Sequence, residues 1–200
     1  KDDPTGIAYD PSNGYIYVAD FNANCVSVIN PSTNQVIANI SVGSNPQSIA
    51  YDPSNGYIYV ANSGSNTVSV INPSTNQVIA NIKVKDDPTG IAYDPSNGYI
   101  YVTDAGSNCI SVIDPSTNQV IANIPAGYLP FNIVYDPSNK YLYVANWGQS
   151  ASTVSVIDPS TGQIVYTISG IESWPYGMLY DPSNGYIYVT STRSDIISVI

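Results

Sequence analysis

The chain of 200 residues has no histidine, only five lysine and arginine residues, and two cysteines. Without histidine, the commonest general base and the usual ligand of zinc and haem are both missing. Because 15 acidic residues face 5 basic ones, the net charge is -10, and few cations are present to replace phosphate counterions. We therefore expect no nucleic-acid partner. No apolar run approaches the ~20 residues that span a bilayer, so we also expect no membrane insertion.

The two cysteines occupy the same position of an internal repeat, two repeats apart. A disulfide needs Cα atoms within about 7 Å, and equivalent positions of non-adjacent repeats are expected to lie farther apart. We interpret Cys25 and Cys109 as small apolar strand residues, and their redox state stays open. The chain begins at Lys1 and ends inside a strand pattern at Ile200, which indicates a processed or partial chain.

A repeat of about 42 residues dominates the sequence. The segment YDPSNGYIYV starts at Tyr9, Tyr51, Tyr93 and Tyr180, and it recurs as YDPSNKYLYV at Tyr135. A second segment, VSVINPSTNQVIANI, starts at Val26 and Val68 and recurs with small changes at Ile110 and Val154. Such self-similarity is typical of solenoids and propellers.

Each repeat predicts four short strands, here named a to d, which the first repeat places at residues 6–9, 15–18, 25–29 and 35–40. The strands are rich in Val, Ile and Tyr and show no helical period. The turns DPSNG and NPSTN separate a from b and c from d. Proline presets the backbone, the preceding Asp or Asn bonds back to it, and glycine accepts positive φ.

Four antiparallel strands per repeat predict an all-β fold, a β-propeller of about five blades whose last blade lacks its outer strand. We expect one domain over residues 1–200, with repeats starting near 5, 47, 89, 131 and 176. The alternative is that these blades are part of a larger propeller. Strand b is apolar on both faces, and such a sheet must be covered on both faces. A linear stack would expose two apolar blade faces, so we expect those faces to be covered.

Five stretches of the chain resemble the YVTN-type β-propeller repeats of archaeal surface-layer and bacterial cell-surface proteins. They are Tyr17-Val18-Ala19-Asp20, Tyr59-Val60-Ala61-Asn62, Tyr101-Val102-Thr103-Asp104, Tyr143-Val144-Ala145-Asn146 and Tyr188-Val189-Thr190-Ser191. The resemblance implies an extracellular or periplasmic interaction module, commonly of seven blades, and we expect it outside the cell or at the cell surface. It carries no fixed catalytic residues.

The repeats differ mainly in their b–c and d–a connections, which emerge at the same end of a four-stranded meander. Binding residues concentrate on such loops, so we expect a ligand site at this end. Aromatic and charged residues outside the repeat pattern gather there, and they are Tyr128, Phe131, Trp147, Glu172, Trp174, Tyr176 and Arg193. Rigid aromatics beside an arginine are good anchors for proteins or sugar rings, although they could instead pack loop against loop.

Acidic residues at the same end raise the possibility of Ca²⁺. Asp86 and Asp87 enter the third repeat and Asp104 follows its strand b, while Asp2, Asp3 and Asp20 repeat the arrangement in the first. Carboxylates with loop carbonyls can hold calcium, but no spacing matches a defined calcium loop, and solvated loop acids are the alternative. Asn39-Ile40-Ser41 is an acceptable glycosylation sequon.

Three classes of function remain in contention. The first is a non-catalytic propeller that binds a protein or glycan at the cell surface. The second is a structural subunit of a surface layer or extracellular filament, which self-assembles by strand addition at the incomplete blade. The third is a lactonase-like propeller enzyme, which we do not expect because no pair of carboxylates is marked out by its spacing.

Overall fold

The computed structural model describes residues 3–147 and 152–200 and confirms an all-β propeller of five blades. Its strands are β1 Pro4–Asp10, β2 Tyr15–Asp20, β3 Cys25–Asn30, β4 Gln35–Ser41, β5 Pro46–Asp52, β6 Tyr57–Asn62, β7 Thr67–Asn72, β8 Gln77–Lys83, β9 Pro88–Asp94, β10 Tyr99–Asp104, β11 Cys109–Asp114, β12 Gln119–Pro125, β13 Pro130–Asp136, β14 Tyr141–Asn146, β15 Ser152–Asp158, β16 Gln163–Ile171, β17 Pro175–Asp181, β18 Tyr186–Ser191 and β19 Ile196–Val199. One 3-10 turn, Ala105–Ser107, follows β10. In the described residues no helix is long and apolar enough to cross a membrane.

Blades 1 to 4 are four-stranded antiparallel meanders, and blade 5 consists of β17, β18 and β19. The predicted turns form as expected. In the first, Asp10 Oδ1 accepts the N–H and the O–H of Ser12 at 2.8 and 2.6 Å. Gly14, at φ 75°, closes the turn by donating its N–H to the Asp10 carbonyl at 2.9 Å. These contacts use near-neighbours in sequence, so each turn is built locally.

Neighbouring blades pack face to face and bury the two-sided apolar pattern. Tyr17, Val26 and Val28 of blade 1 meet Ile58 and Val60 of blade 2, and all five are fully buried. The same arrangement recurs at each following junction. The strand b tyrosines are part of this scaffold. Their hydroxyls accept a hydrogen bond from the turn asparagine, as in Asn13 Nδ2 to Tyr17 at 3.0 Å.

The five blades form an open arc. Strands β1, β5, β9, β13 and β17 pack in that order and border one apolar cavity of about 850 Å³. No comparable packing joins β17 to β1, two strands that both lie in the described part of the chain. The expectation that both end faces are covered is therefore not met within this chain. The outward-facing Ile7 of blade 1 is 67% exposed, whereas its equivalent Ile49 is 7% exposed.

Candidate functional site

The end of the arc that carries the b–c and d–a loops, here called the variable end, keeps one backbone contact in every blade. The residue immediately before the first strand of each blade lies in the left-handed region, and its carbonyl accepts a hydrogen bond from the N–H of the first residue after the second strand. The five pairs, donor first, are Phe21–Asp3, Ser63–Asn45, Ala105–Asp87, Trp147–Leu129 and Thr192–Trp174, at 2.8–3.0 Å. The loops of the five blades therefore share one backbone arrangement, called here the frame, and differ in their side chains.

A second contact, here called the junction hydrogen bond, joins each blade to the next at this end. Asn24 Oδ1 accepts the backbone N–H of Asn45 at 2.8 Å. Asn66 and Asn108 make the equivalent bonds to the following blades at 3.0 and 2.8 Å. The acceptor in blade 4 is Ser152 Oγ, 3.3 Å from the Trp174 nitrogen. The frame therefore fixes each loop against its neighbour across the blade junction.

Four predicted site residues come together on this frame at the junction of blades 4 and 5. The ring centroids of Phe131 and Trp147 are 5.1 Å apart, and those of Phe131 and Tyr176 are 4.9 Å apart. Trp147 and Trp174 lie 4.7 Å apart with an interplanar angle of 58°. These distances fall within the favoured range for aromatic pairs. We call these four residues the aromatic cluster.

Arg193 and Glu172 flank the aromatic cluster. The Arg193 guanidinium lies over the Trp174 ring, 5.2 Å from its centroid, in a cation–π contact. Glu172 is exposed, its carbonyl accepts from Ser191 Oγ at 3.2 Å, and its carboxylate is 3.5 Å from Ser194 Oγ. The cluster thus presents aromatic surface with one cation and one anion at its rim.

Tyr128 lies apart from the cluster. Its side chain is 63% exposed, and none of the ring contacts between described residues includes it. The longer b–c loop that follows Trp147 falls on residues 148–151, outside the described residues. The indole Nε1 of Trp147 is buried and has no acceptor in the described part of the chain.

The backbone of the cluster carries strain that the other blades avoid. Leu129 and Trp174 have φ values of 48° and 66°, at the position that Asp3, Asn45 and Asp87 hold in blades 1 to 3. Asn and Asp tolerate the left-handed region, but other L-residues lose about 1–2 kcal/mol there. Strained backbone of this kind concentrates at functional sites, where the surrounding structure enforces it.

The three candidate calcium ligands do not assemble. Asp86 Oδ1 accepts from Asn66 Nδ2 at 2.7 Å, whereas the Asp104 carboxylate is turned into the blade and accepts from Ser111 Oγ at 2.6 Å. Within the described residues no three His, Cys, Asp or Glu side chains are grouped to hold a metal ion. The backbone N–H of Asp87 donates to Asn66 Oδ1 at 3.0 Å, and Asp2 lies outside the described residues.

Asn39, the predicted glycosylation residue, is exposed on the outer strand β4. Its Oδ1 accepts a hydrogen bond from Ser27 Oγ at 3.1 Å. This placement leaves glycosylation as a prediction.

Sequence reasoning missed a buried polar position at the end of strand b. Asp20, Asn62, Asp104 and Asn146 are at most 2% exposed and contact a serine of strand c. Burial raises the pKa of Asp104 to about 6, although hydrogen bonds from Ser111 oppose the shift. The sequence contained a signal for this position, because its residue type changes together with that of its contact in strand c. The aspartates contact Cys25 and Cys109, and the asparagines contact Thr67 and Thr153.

Comparison with known proteins supports the fold. A model of the YNCE-like beta-propeller family matches residues 6–108. No curated protein sequence matches the chain.

Two solved structures similar to this chain carry the names of enzymes. One, hydrazine synthase of Kuenenia stuttgartiensis, is 28% identical with a TM-score of 0.87, covering 94% of this chain and 55% of that chain. The other, virginiamycin B lyase from Staphylococcus aureus, is 18% identical with a TM-score of 0.75, covering 98% of this chain and 69% of that one. The second likeness shows the fold alone. This chain spans about half the length of the hydrazine synthase chain.

Proposed function

Because the chain belongs to the YNCE-like β-propeller family, whose model matches residues 6–108, we propose that it is a non-catalytic binding scaffold. The scaffold acts outside the cell or at the cell surface and holds a protein or glycan partner. The aromatic cluster of Phe131, Trp147, Trp174 and Tyr176 is the binding surface. The observation that carries the proposal is the contact between these four rings at one blade junction.

The repeats support this assignment because they provide the unspecialised version of each position. Phe131 and Tyr176 stand where blades 1 to 3 have Thr5, Gln47 and Thr89. Trp147 stands where blade 1 has phenylalanine, blades 2 and 3 have serine and alanine, and blade 5 has threonine. Polar or small side chains therefore suffice to build this frame, so folding alone does not require large aromatics there.

The composition and exposure of the cluster fit binding. Tryptophan, tyrosine and arginine are the residues most enriched at binding hot spots. Tyr176 is 42% exposed, and Arg193 and Glu172 are exposed beside it, so both apolar and polar contacts are available to a partner. The backbone strain at Leu129 and Trp174 is a stability cost that blades 1 to 3 do not bear. A binding role accounts for that cost.

Tryptophan fluorescence tests the proposal directly. The chain has two tryptophans and both belong to the cluster, so emission excited at 295 nm reports this site without background. We would screen the chain on an immobilised glycan array and against purified cell-envelope proteins, then titrate each hit while following emission. Saturable binding with a change of emission is expected. Binding that leaves tryptophan emission unchanged would place the partner elsewhere and contradict the assignment.

Two variants and one control sharpen the test. Tyr176→Ala and Arg193→Ala remove exposed groups, so we expect a folded protein with affinity lower by about tenfold or more. Phe21→Ala removes an aromatic from the position of Trp147 in blade 1 and should leave affinity unchanged. An equal loss of affinity in all three variants would contradict the proposed site.

The non-catalytic part of the proposal rests on how the repeated carboxylates are used. Asp10, Asp52, Asp94 and Asp136 each accept two hydrogen bonds from the serine of their own turn. The names of the two solved relatives describe those proteins, and one of them is only 18% identical. Turnover of a lactone by the purified chain, lost on mutating a carboxylate, would overturn this part.

A further inference from the structure

The end of the arc opposite the variable end carries the a–b and c–d turns, and it contains a cavity between blades 1 and 2. The volume of this cavity is about 680 Å³, within the range of roughly 300–1,000 Å³ that is usual for small-molecule sites. The a–b turns of both blades and the c–d turn of blade 2 border it, together with Tyr15 and Tyr57 at the start of β2 and β6. We call this cavity the turn pocket.

Neutral polar groups dominate the lining of the turn pocket. Asparagine, serine and tyrosine supply them, and none of the lining residues, all of which lie in the described part of the chain, carries a charge. The pocket therefore offers no ion pair to a phosphate, a carboxylate or an ammonium group. Amides and hydroxyls both donate and accept hydrogen bonds, so the lining favours a neutral ligand that does the same.

Several of these polar groups have no partner among the described residues. The side-chain hydroxyls of Tyr15 and Tyr57 form no hydrogen bond there, because the turn asparagines bind the backbone N–H groups of both tyrosines instead. Asn72 accepts the N–H of Ser74 at its Oδ1, at 2.9 Å. Within the described part of the chain, this leaves the Asn72 Nδ2 and the Ser74 hydroxyl available to a ligand.

Asn76, which also lines the turn pocket, lacks a partner at a buried atom. Its Oδ1 is buried and accepts no hydrogen bond from any described residue. Leaving a buried polar atom unpaired is costly, and most such atoms in folded proteins have a partner. The last side-chain torsion of asparagine is broad, so rotation of the amide can present its oxygen or its nitrogen to a group that enters the pocket.

The equivalent cavity between blades 3 and 4 allows a comparison within the same chain. Its volume is about 540 Å³. Lys140, Asp158 and Gly162 stand there in place of Gly56, Asn72 and Asn76. Asp158 Oδ1 accepts both the N–H and the O–H of Ser160, at 2.9 and 2.6 Å, so this serine hydroxyl is engaged. Because the c–d turn also forms with aspartate and glycine, folding does not require the free amides of the turn pocket.

We propose that the turn pocket binds a neutral saccharide, whose hydroxyls pair with the free groups of Tyr15, Tyr57, Asn72 and Asn76. Each sugar hydroxyl donates and accepts, as the amides and hydroxyls of the lining do. The two tyrosine rings pack against the cores between the blades, which fixes their position. They also provide apolar surface for the C–H groups of a sugar ring. The turn pocket and the aromatic cluster lie at opposite ends of the arc, and this inference does not depend on the cluster.

Isothermal titration calorimetry tests the proposal with glucose, galactose and mannose at millimolar concentration, each compared with its uronate. We expect saturable binding of at least one neutral sugar. Its uronate should bind about tenfold more weakly, because the pocket holds no cation and the chain has a net charge of -10. Failure of all three neutral sugars to bind, or a preference for the uronates, would overturn the proposal.

Two variants with matched controls locate the bound sugar. Asn72→Asp removes the free amide donor and keeps the turn, since Asp114 holds that position in blade 3, so affinity should fall about tenfold. Asn30→Asp makes the same change in the c–d turn of blade 1, outside the turn pocket, and should bind like the parent. Tyr57→Phe removes one free hydroxyl and should weaken binding, whereas Tyr186→Phe, the same change in blade 5, should not.

Tryptophan emission separates the turn pocket from the aromatic cluster, because both tryptophans of the chain belong to the cluster. Sugar binding at the turn pocket should leave this emission unchanged and should persist in Tyr176→Ala. A sugar that changes the emission and no longer binds Tyr176→Ala would lie at the aromatic cluster, which would refute the turn pocket and support the cluster. Equal affinities of Asn72→Asp and Asn30→Asp would refute the turn pocket as well.

Discussion

Replacing Asp104 with asparagine is expected to stabilise the protein at neutral pH. Asp104 is fully buried, and burial raises the pKa of its carboxyl from 3.8 to about 6. The folded state therefore holds this proton more tightly than the unfolded chain does. Its stability falls as the pH rises from about 4 to about 6 and stays lower above that. By linkage, ionising this group costs the folded state about 3 kcal/mol at pH 7.

The hydrogen bonds around Asp104 give a second reason why Asp104→Asn should stabilise the protein. Ser111 has a single hydroxyl proton but lies near two acceptors, Asp104 Oδ2 at 2.6 Å and Asn123 Oδ1 at 3.2 Å. In blade 2 an asparagine holds the position of Asp104, and each acceptor there has its own donor. Asn62 Nδ2 donates to Ser69 Oγ at 3.0 Å, and Ser69 donates onward to Asn81 at 2.8 Å. In Asp104→Asn the amide supplies the missing donor.

The assay is denaturant unfolding of both proteins at pH 4, 6 and 8. The free energy of unfolding of Asp104→Asn should equal that of the parent at pH 4 and exceed it by about 1–3 kcal/mol at pH 8. Asp158→Asn is the control, since it changes the net charge equally at an exposed turn. Hydrogen bonds from Ser160 lower the pKa of Asp158, so its contribution is lost on acidification. A destabilised Asp104→Asn at pH 8, or a gain that persists at pH 4, would refute the reasoning.

Three further predictions follow from the frame of the blades. Burial raises the pKa of Tyr59 and Tyr101 to about 12. The stability that these groups contribute is therefore present below pH 10 and lost between pH 10 and pH 12. Absorbance at 295 nm should show their ionisation only when the protein unfolds. Leu129→Asn should stabilise the chain to urea by about 1 kcal/mol, because asparagine tolerates φ 48°. Gly90→Ala should cost about 1–3 kcal/mol in the same assay, because its Cβ would lie 2.8 Å from the Phe131 carbonyl oxygen; an unchanged midpoint would contradict the close packing of these blades.

Much of the candidate site was predictable because the five repeats can be aligned with one another. The uniform turns expose any residue that breaks the pattern, and this identified Phe131, Trp147, Trp174 and Tyr176. Their contacts with one another were not predictable in detail. Tyr128 carries the same signal, yet it lies apart because its side chain points to solvent rather than into the blade junction.

Contacts between residues far apart in sequence depend on the rotation from one blade to the next. Phe131 and Tyr176, for example, are in different blades and meet only because blades 4 and 5 are packed together. The separation of Asp86 from Asp104 has a similar origin, because the end of β10 points the Asp104 side chain into the blade. A sequence pattern does not contain that direction.

By itself, the sequence determined the strands, the turns, the four-stranded blades and the family. These follow from contacts within a few residues, such as the Asp10–Ser12 turn, and from an apolar pattern on both faces of strand b. Only the tertiary structure decided that the blades form an open arc, that the backbone is strained at Trp174, and that Asp104 is buried. Each of these depends on how whole sheets pack, because the burial of a face is set by the next blade and not by the residues of the face itself.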